Sequence, residues 1–241
     1  MYVEVSIANS FSPRTVSEDR FRGIAERIRS SSVNIRSANV FIPGNLKLVG
    51  PDVDEAAVLA YVDTVMQRCN QAGVKLIVLG SGGARRIPPG FDSLTAARQF
   101  ISIAGKIADL ASKYQRVIAL ENLNHTETNF ILTLGQAIAI AKAVDRPSFK
   151  VNADIYHMLM EQESPEVILT AGDLLANVHI AEKEERAYPG KRGTDFKPFF
   201  RAMKAIGYNG GIIMECRWTD LPREVAIARA YLEAQLSASY K

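Results

Sequence analysis

Four residues able to bind a cation or move a proton each close an apolar run: Glu121 in RVIALEN, Asp154 in FKVNAD, His179 in LANVHIA and Glu215 in GIIMEC. Residues two apart on a strand share a face. Ile118 and Leu120 on one face therefore leave Glu121 on the other, and Val178 with Ile180 do the same for His179, as Ile212 with Met214 do for Glu215. Any one of them alone reads as an ordinary polar residue at a strand end. Four on successive strands with matching parity point to one spot. Three carboxylates cannot share a dry cavity as bare anions, because like charge and desolvation would raise their pKa values. A divalent cation removes that conflict. Three carboxylates and one imidazole suit Mn²⁺, Mg²⁺, Co²⁺ or Fe²⁺, with Zn²⁺ also compatible, and leave coordination positions for substrate oxygens.

The elements that must position these residues are legible as alternating periods. Short runs rich in Val, Ile and Leu are expected to be strands at 2–7, 33–40, 74–79, 116–121, 149–154, 175–180 and 211–215. Between them apolar residues recur at three and four, as in Phe21, Ile24, Ala25 and Ile28, or Val58, Tyr61, Val62, Val65, Met66 and Cys69. Gly73 ends one helix, Asp92 or Ser93 caps the next, Ser164-Pro165 opens another, and Asp220 with Pro222 opens the last. Strand and helix in strict alternation predict a parallel α/β sheet covered on both faces, for which a (β/α) barrel is the natural closure. In such a barrel the active site forms at the C-terminal ends of the strands, where the four residues lie. Seven strands are recognised rather than eight.

The chain has 241 residues, 47% hydrophobic and 23% charged, enough for one barrel-sized domain over 1–241. Its net charge of +3 comes from dispersed residues, without a basic block to track a phosphate backbone, so nucleic acid is not an expected partner. MYVEVSIANSF carries Glu4 and no basic leader, and no uninterrupted apolar run is long enough to span a bilayer. A cytoplasmic protein with no membrane partner is expected. Cys69 and Cys216 lack metal or redox spacing and are expected to be free thiols.

With these residues located, the sequence resembles the sugar phosphate isomerase/epimerase family of xylose-isomerase-like TIM barrels. The resemblance rests on ALENLNHTETN (119–129), NADIYHM (152–158), VHIAEKEERAYPG (178–190), IIMECRW (212–218) and, less specifically, VLGSGGARRIPPGF (78–91). It implies that Glu121, Asp154, His179 and Glu215 bind one divalent metal and that Glu121 and Glu215 also form the acid/base pair. It further implies that His157 and an arginine after His179, here Arg186, contact substrate oxygens. Arg186 stands one position later than the family's arginine. YVEV resembles the family's second strand, so the first β/α unit is expected to be missing, with the gap met by a homodimer or larger homo-oligomer, a swapped element, or a truncated start.

The chemistry implied is proton abstraction beside a carbonyl through an enediolate, giving a sugar or sugar-phosphate epimerase or isomerase with a carbohydrate substrate. A metal-dependent dehydratase of keto-inositols, or a degenerate barrel that only binds a sugar or partner, are the alternatives. GSGGARRIPPG lacks the closing Gly-Lys-Ser/Thr of a phosphate loop and reads as a flexible loop over the mouth, from which Arg85 or Arg86 could hold an anionic group. Arg217 and Trp218 follow Glu215 at the rim, and His125 is expected to bond loop backbone.

Overall fold

A computed structural model describes residues 2–239. The apolar runs form strands β1 (Tyr2–Ser6), β2 (Asn34–Asn39), β3 (Leu76–Leu79), β4 (Val117–Glu121), β5 (Phe149–Asp154), β6 (Leu175–Ile180) and β7 (Gly211–Met214). The helices are α1 (Ile7–Ser10), α2 (Glu18–Ser30), α3 (Glu55–Ala72), α4 (Gly82–Arg85), α5 (Ser93–Lys113), α6 (Leu134–Val144), α7 (Ile155–Met160), α8 (Lys197–Ala205) and α9 (Leu221–Ser239). Two compact units are distinguished. One comprises Met1–Glu121, Thr126–Phe130 and Ala139–Lys150, the other Asn122–His125, Ile131–Ile138 and Val151–Lys241.

In the first unit β1 to β4 pair in parallel in chain order, with Tyr2 opposite Asn34, Ser37 opposite Leu76, and Leu76 opposite Val117. β3 is buried along its whole length, as a parallel strand covered on both faces must be. α3 packs against α2 and α5. It buries Val58, Tyr61, Val62, Val65, Met66 and Cys69, the six residues whose spacing defines its apolar stripe. Asp54 caps its start by accepting the Ala57 N–H at 2.9 Å, and Gly73 ends it with φ 78°. An alanine at Gly73 would meet no atom within 4 Å, so its only penalty is the left-handed backbone. Gly73→Ala is expected to cost about 1–2 kcal/mol in urea denaturation without altering the site.

In the second unit β5, β6 and β7 pair in parallel, with Asp154 opposite His179 and His179 opposite Ile213. α8 packs on the 165–170 segment and on α9. Ser164-Pro165 opens a 3₁₀ helix (Pro165–Thr170) and not the expected α-helix. Val167, Ile168 and Thr170 are β-branched, and Gly172 follows at φ 49°, so the segment closes i→i+3 bonds and stops. Among the described residues no helix is long and apolar enough to cross a membrane. Both cysteines are free; burial pushes each thiol up to about 12, with nearby positive charge acting against it.

Candidate metal centre

The β5–β6 register sets Asp154 and His179 side by side at the ends of their strands. Glu215 sits one residue beyond β7, where its N–H donates to the Ile180 carbonyl at 3.2 Å. Asp154, His179 and Glu215 each offer a ligand atom within 4.8 Å of the others'. His179 Nδ1 lies 3.2 Å from Glu215 Oε2 and 3.9 Å from Asp154 Oδ2. Asp154 and His179 are buried, whereas the Glu215 side chain is 31% exposed, so the cluster opens to solvent at Glu215.

Local structure explains why Asp154 is held in place. Its side chain caps α7 by accepting the His157 N–H at 3.2 Å. Its backbone exchanges two bonds with the Asn122 amide, Asp154 N–H to Oδ1 at 3.0 Å and Nδ2 to the Asp154 carbonyl at 3.2 Å. His157 is also buried. Asn124 Nδ2 donates to His157 Nδ1 at 2.9 Å, which leaves the ring's other nitrogen, Nε2, 3.4 Å from Asp154 Oδ2. The i, i+3 pair read from VNADIYHM is therefore a cap plus a ring oriented by Asn124.

Arg186 ties the cluster together. Its guanidinium donates to the Glu215 carboxylate, to Asp154 Oδ2 at 3.4 Å and, through Nε, to the Glu215 carbonyl at 3.1 Å, while lying 4.7 Å from the Tyr156 ring centroid. Burial pushes the Glu215 carboxyl up, but His179, then Arg186 and His157, outweigh it and hold the group down at about 2. Two carboxylate oxygens and an imidazole nitrogen converging on one spot, buried at Asp154 and His179 and open at Glu215, fit a divalent cation of the oxygen- and nitrogen-preferring kind.

Glu121 is the last residue of β4, buried, in the first unit. Arg85 belongs to α4 rather than to a flexible mouth loop: it is fully buried and donates to the Glu121 carbonyl at 2.8 Å. Ser81 closes that turn by receiving the Ala84 N–H at 3.0 Å on its carbonyl, which gives the glycine-rich stretch a helical start. Burial lowers the Arg85 guanidinium to about 10 despite Glu121 and Glu127 nearby. The Arg217 side chain is exposed, and its N–H donates to the Arg186 carbonyl at 2.9 Å. Trp218 stacks on Tyr188 with ring centroids 6.1 Å apart and planes 4° apart. His125 pairs with a carboxylate, not with backbone: Nδ1 is 2.6 Å from Glu161 Oε1, which also receives the His125 N–H at 2.8 Å.

Asn122, Asn124 and Tyr156 are not among the residues expected from the sequence. The alternation Glu121, Asn122, Leu123, Asn124 directly after an apolar strand was the available signal, since buried amides at a strand end need partners.

A family model described as a xylose isomerase-like TIM barrel matches residues 1–235. Over 114 residues the chain is 39% identical to a ketose 3-epimerase of Arthrobacter globiformis, a match covering 46% of this chain and 38% of that protein. The chain thus spans well under half of the length of that curated relative. Its structure is similar to that of a D-psicose 3-epimerase from Clostridium cellulolyticum H10 with D-tagatose, with a TM-score of 0.80 at 21% identity, covering 98% of this chain and 87% of the other. It is also similar to the IOLI protein with a bound zinc atom, with a TM-score of 0.78 at 17% identity, covering 99% and 88%. At these identities the structural likenesses show the fold alone.

Proposed function

The chain belongs to the xylose isomerase-like TIM barrel family, and from that premise we propose that it is a divalent-metal-dependent epimerase of a keto sugar, inverting the carbon next to the carbonyl. The observation that carries this reading is the cluster of Asp154, His179 and Glu215 on successive strand ends. The ketose 3-epimerase likeness supports C3 of a ketose as the reacting carbon.

In this proposal Glu121, at the end of β4, joins Asp154, His179 and Glu215 as the fourth ligand. A divalent ion held by these four residues would supply Lewis-acid polarisation of the ketose carbonyl and the adjacent hydroxyl, which would acidify the C–H on the hydroxyl-bearing carbon. Mn²⁺, Mg²⁺, Co²⁺ and Fe²⁺ match the carboxylate-rich donor set, and Zn²⁺ fits as well. Glu121 and Glu215 stand as the base that removes the C3 proton and the acid that returns one to the opposite face of the enediolate. Glu215, kept ionised by His179 and Arg186, is in the form that accepts a proton at neutral pH. Arg186 and His157, both already against Asp154, bind and orient substrate oxygens. Exposed Arg217 meets the substrate only at the rim, and buried Arg85 fixes the Glu121 backbone. A single domain, a cytoplasmic location and self-association into a homo-oligomer belong to the same proposal.

Incubating the metal-loaded protein with a panel of ketoses and their phosphates tests it. The expected result is conversion of at least one to its C3 epimer, lost on chelation and restored by Mn²⁺. A dehydrated product, or no conversion across the panel, overturns it.

A further inference from the structure

The loop between β6 and α8 carries Arg186, and it holds an unusual backbone. Glu185 and Arg186 both adopt left-handed conformations, with φ of 61° and 51°. Residues other than glycine persist there only when their surroundings impose it. The loop's other two left-handed residues, Gly190 and Gly193, meet no such penalty.

At the start of this loop lies Glu182, three residues past His179 and fully buried. Its Oε1 accepts the N–H groups of Gly190, Gly193 and Thr194 at 2.8, 3.0 and 3.2 Å, and its Oε2 accepts that of Arg192 at 2.5 Å. Its own N–H donates to the Ala187 carbonyl at 2.8 Å. One residue thus fastens the loop at Ala187 and again at Gly190–Thr194, with Arg186 inside the turn that the Glu182–Ala187 bond closes. The far side is anchored again where Tyr231 and Gln235 of α9 donate to the Thr194 carbonyl at 2.9 and 3.0 Å. With four backbone N–H groups bonded to it, this carboxylate is committed to the loop backbone.

We infer that Glu182 is a positioning residue: its carboxylate folds the 182–194 loop so that the Arg186 guanidinium is delivered to Asp154 and Glu215. This rests on the proposed function only for its kinetic consequence. In Glu182→Gln an amide N–H faces at least one of the four backbone donors, which loosens the loop while conserving volume.

The test uses the full chain and reads three quantities in Glu182→Gln. Hydrogen exchange at Gly190, Gly193 and Thr194 is expected to lose protection while β6 and α9 keep theirs. Modification of Arg186 by phenylglyoxal, followed by mass spectrometry, is expected to accelerate as the guanidinium leaves its two carboxylates. On a ketose that the wild type converts, kcat/KM is expected to fall ~10–100-fold. The same change in an Arg186→Met background is expected to bring no further fall. Equal losses in both backgrounds, unchanged loop exchange, or unchanged Arg186 reactivity each overturn the inference. If the wild type converts no ketose, the proposed function fails, and the exchange and modification results still decide the role of Glu182. Should Glu182→Gln not fold, Glu182→Asp, which withdraws the carboxylate by one methylene, gives the same readouts.

Discussion

Replacing Glu215 with Gln is expected to lower kcat on the preferred ketose by ~10²–10⁴-fold, the range that a lost general acid/base group produces. The amide keeps the shape and can still accept from Arg186, but it can neither take nor return a proton. Glu215 is also the residue on which Arg186 and His179 converge, so its charge matters to the folded state. Because its carboxyl is lowered from 4.5 to about 2 in the folded protein, the group binds fewer protons folded than unfolded across that interval. Its contribution to stability is therefore fully present above pH 4.5 and is lost as pH falls through about 2. In metal-free protein, the stability difference between wild type and Glu215→Gln is expected to shrink over that window in acid titrations followed by circular dichroism. Above pH 4.5 the difference stays constant with respect to this group.

Replacing His179 with Ala is expected to weaken divalent-metal affinity by at least ~100-fold, since it removes a donor outright where loss of a supporting partner alone costs about 10–100-fold. Thermal unfolding with and without Mn²⁺ measures it. At an ion concentration of about 100 Kd the wild type gains about 2.7 kcal/mol from binding; after a hundredfold loss of affinity the same concentration supplies about 0.4 kcal/mol. For a chain of this size that difference corresponds to roughly 5–10 °C in Tm. His179 is buried, so the variant also loses packing. That loss is common to both measurements and cancels in the metal-dependent shift. A wild type indifferent to Mn²⁺, Mg²⁺, Co²⁺, Fe²⁺ and Zn²⁺ would remove the metal from the account.

Much of the fold is legible in the sequence because β3, β4, β5 and β6 are buried along nearly all of their length. Continuous apolar runs of that kind need no partner information: the bounds of Phe149–Asp154 and Leu175–Ile180 agree with those expected from the sequence alone. Where structure and sequence expectation part, a tertiary or local preference prevails. At Ser164-Pro165 the helix-start signal is real, but β-branched residues and Gly172 limit the segment to 3₁₀ turns. In GSGGARR the glycines suggest mobility, whereas Gly44 and Gly83 approach so closely that a Cβ on Gly83 would lie 3.3 Å from the Gly44 Cα. That contact helps to explain glycine at Gly83, and no local pattern announces it.

Strand parity finds the metal-binding candidates, because alternation along a strand is a local rule. It cannot find the residues that hold them. Asn122 serves Asp154 across 32 residues of sequence and Asn124 serves His157 across 33, so their roles depend on the completed fold. Glu182 lies inside a motif that the sequence singles out, VHIAEKEERAYPG, but among its three glutamates nothing in the sequence distinguishes the buried clamp from exposed Glu184 and Glu185. The clamp is recognised only by where its four N–H donors converge.

The central claim is chemical: a proton leaves and returns at the carbon beside a ketose carbonyl. Incubation of the Mn²⁺-loaded protein with its preferred ketose in D₂O, followed by NMR, measures that step directly. Deuterium is predicted at C3 of the epimer and, as the reaction reverses, at C3 of the recovered substrate. An epimer formed without deuterium at C3, or a ketose panel that exchanges no C3 proton at all, contradicts the claim.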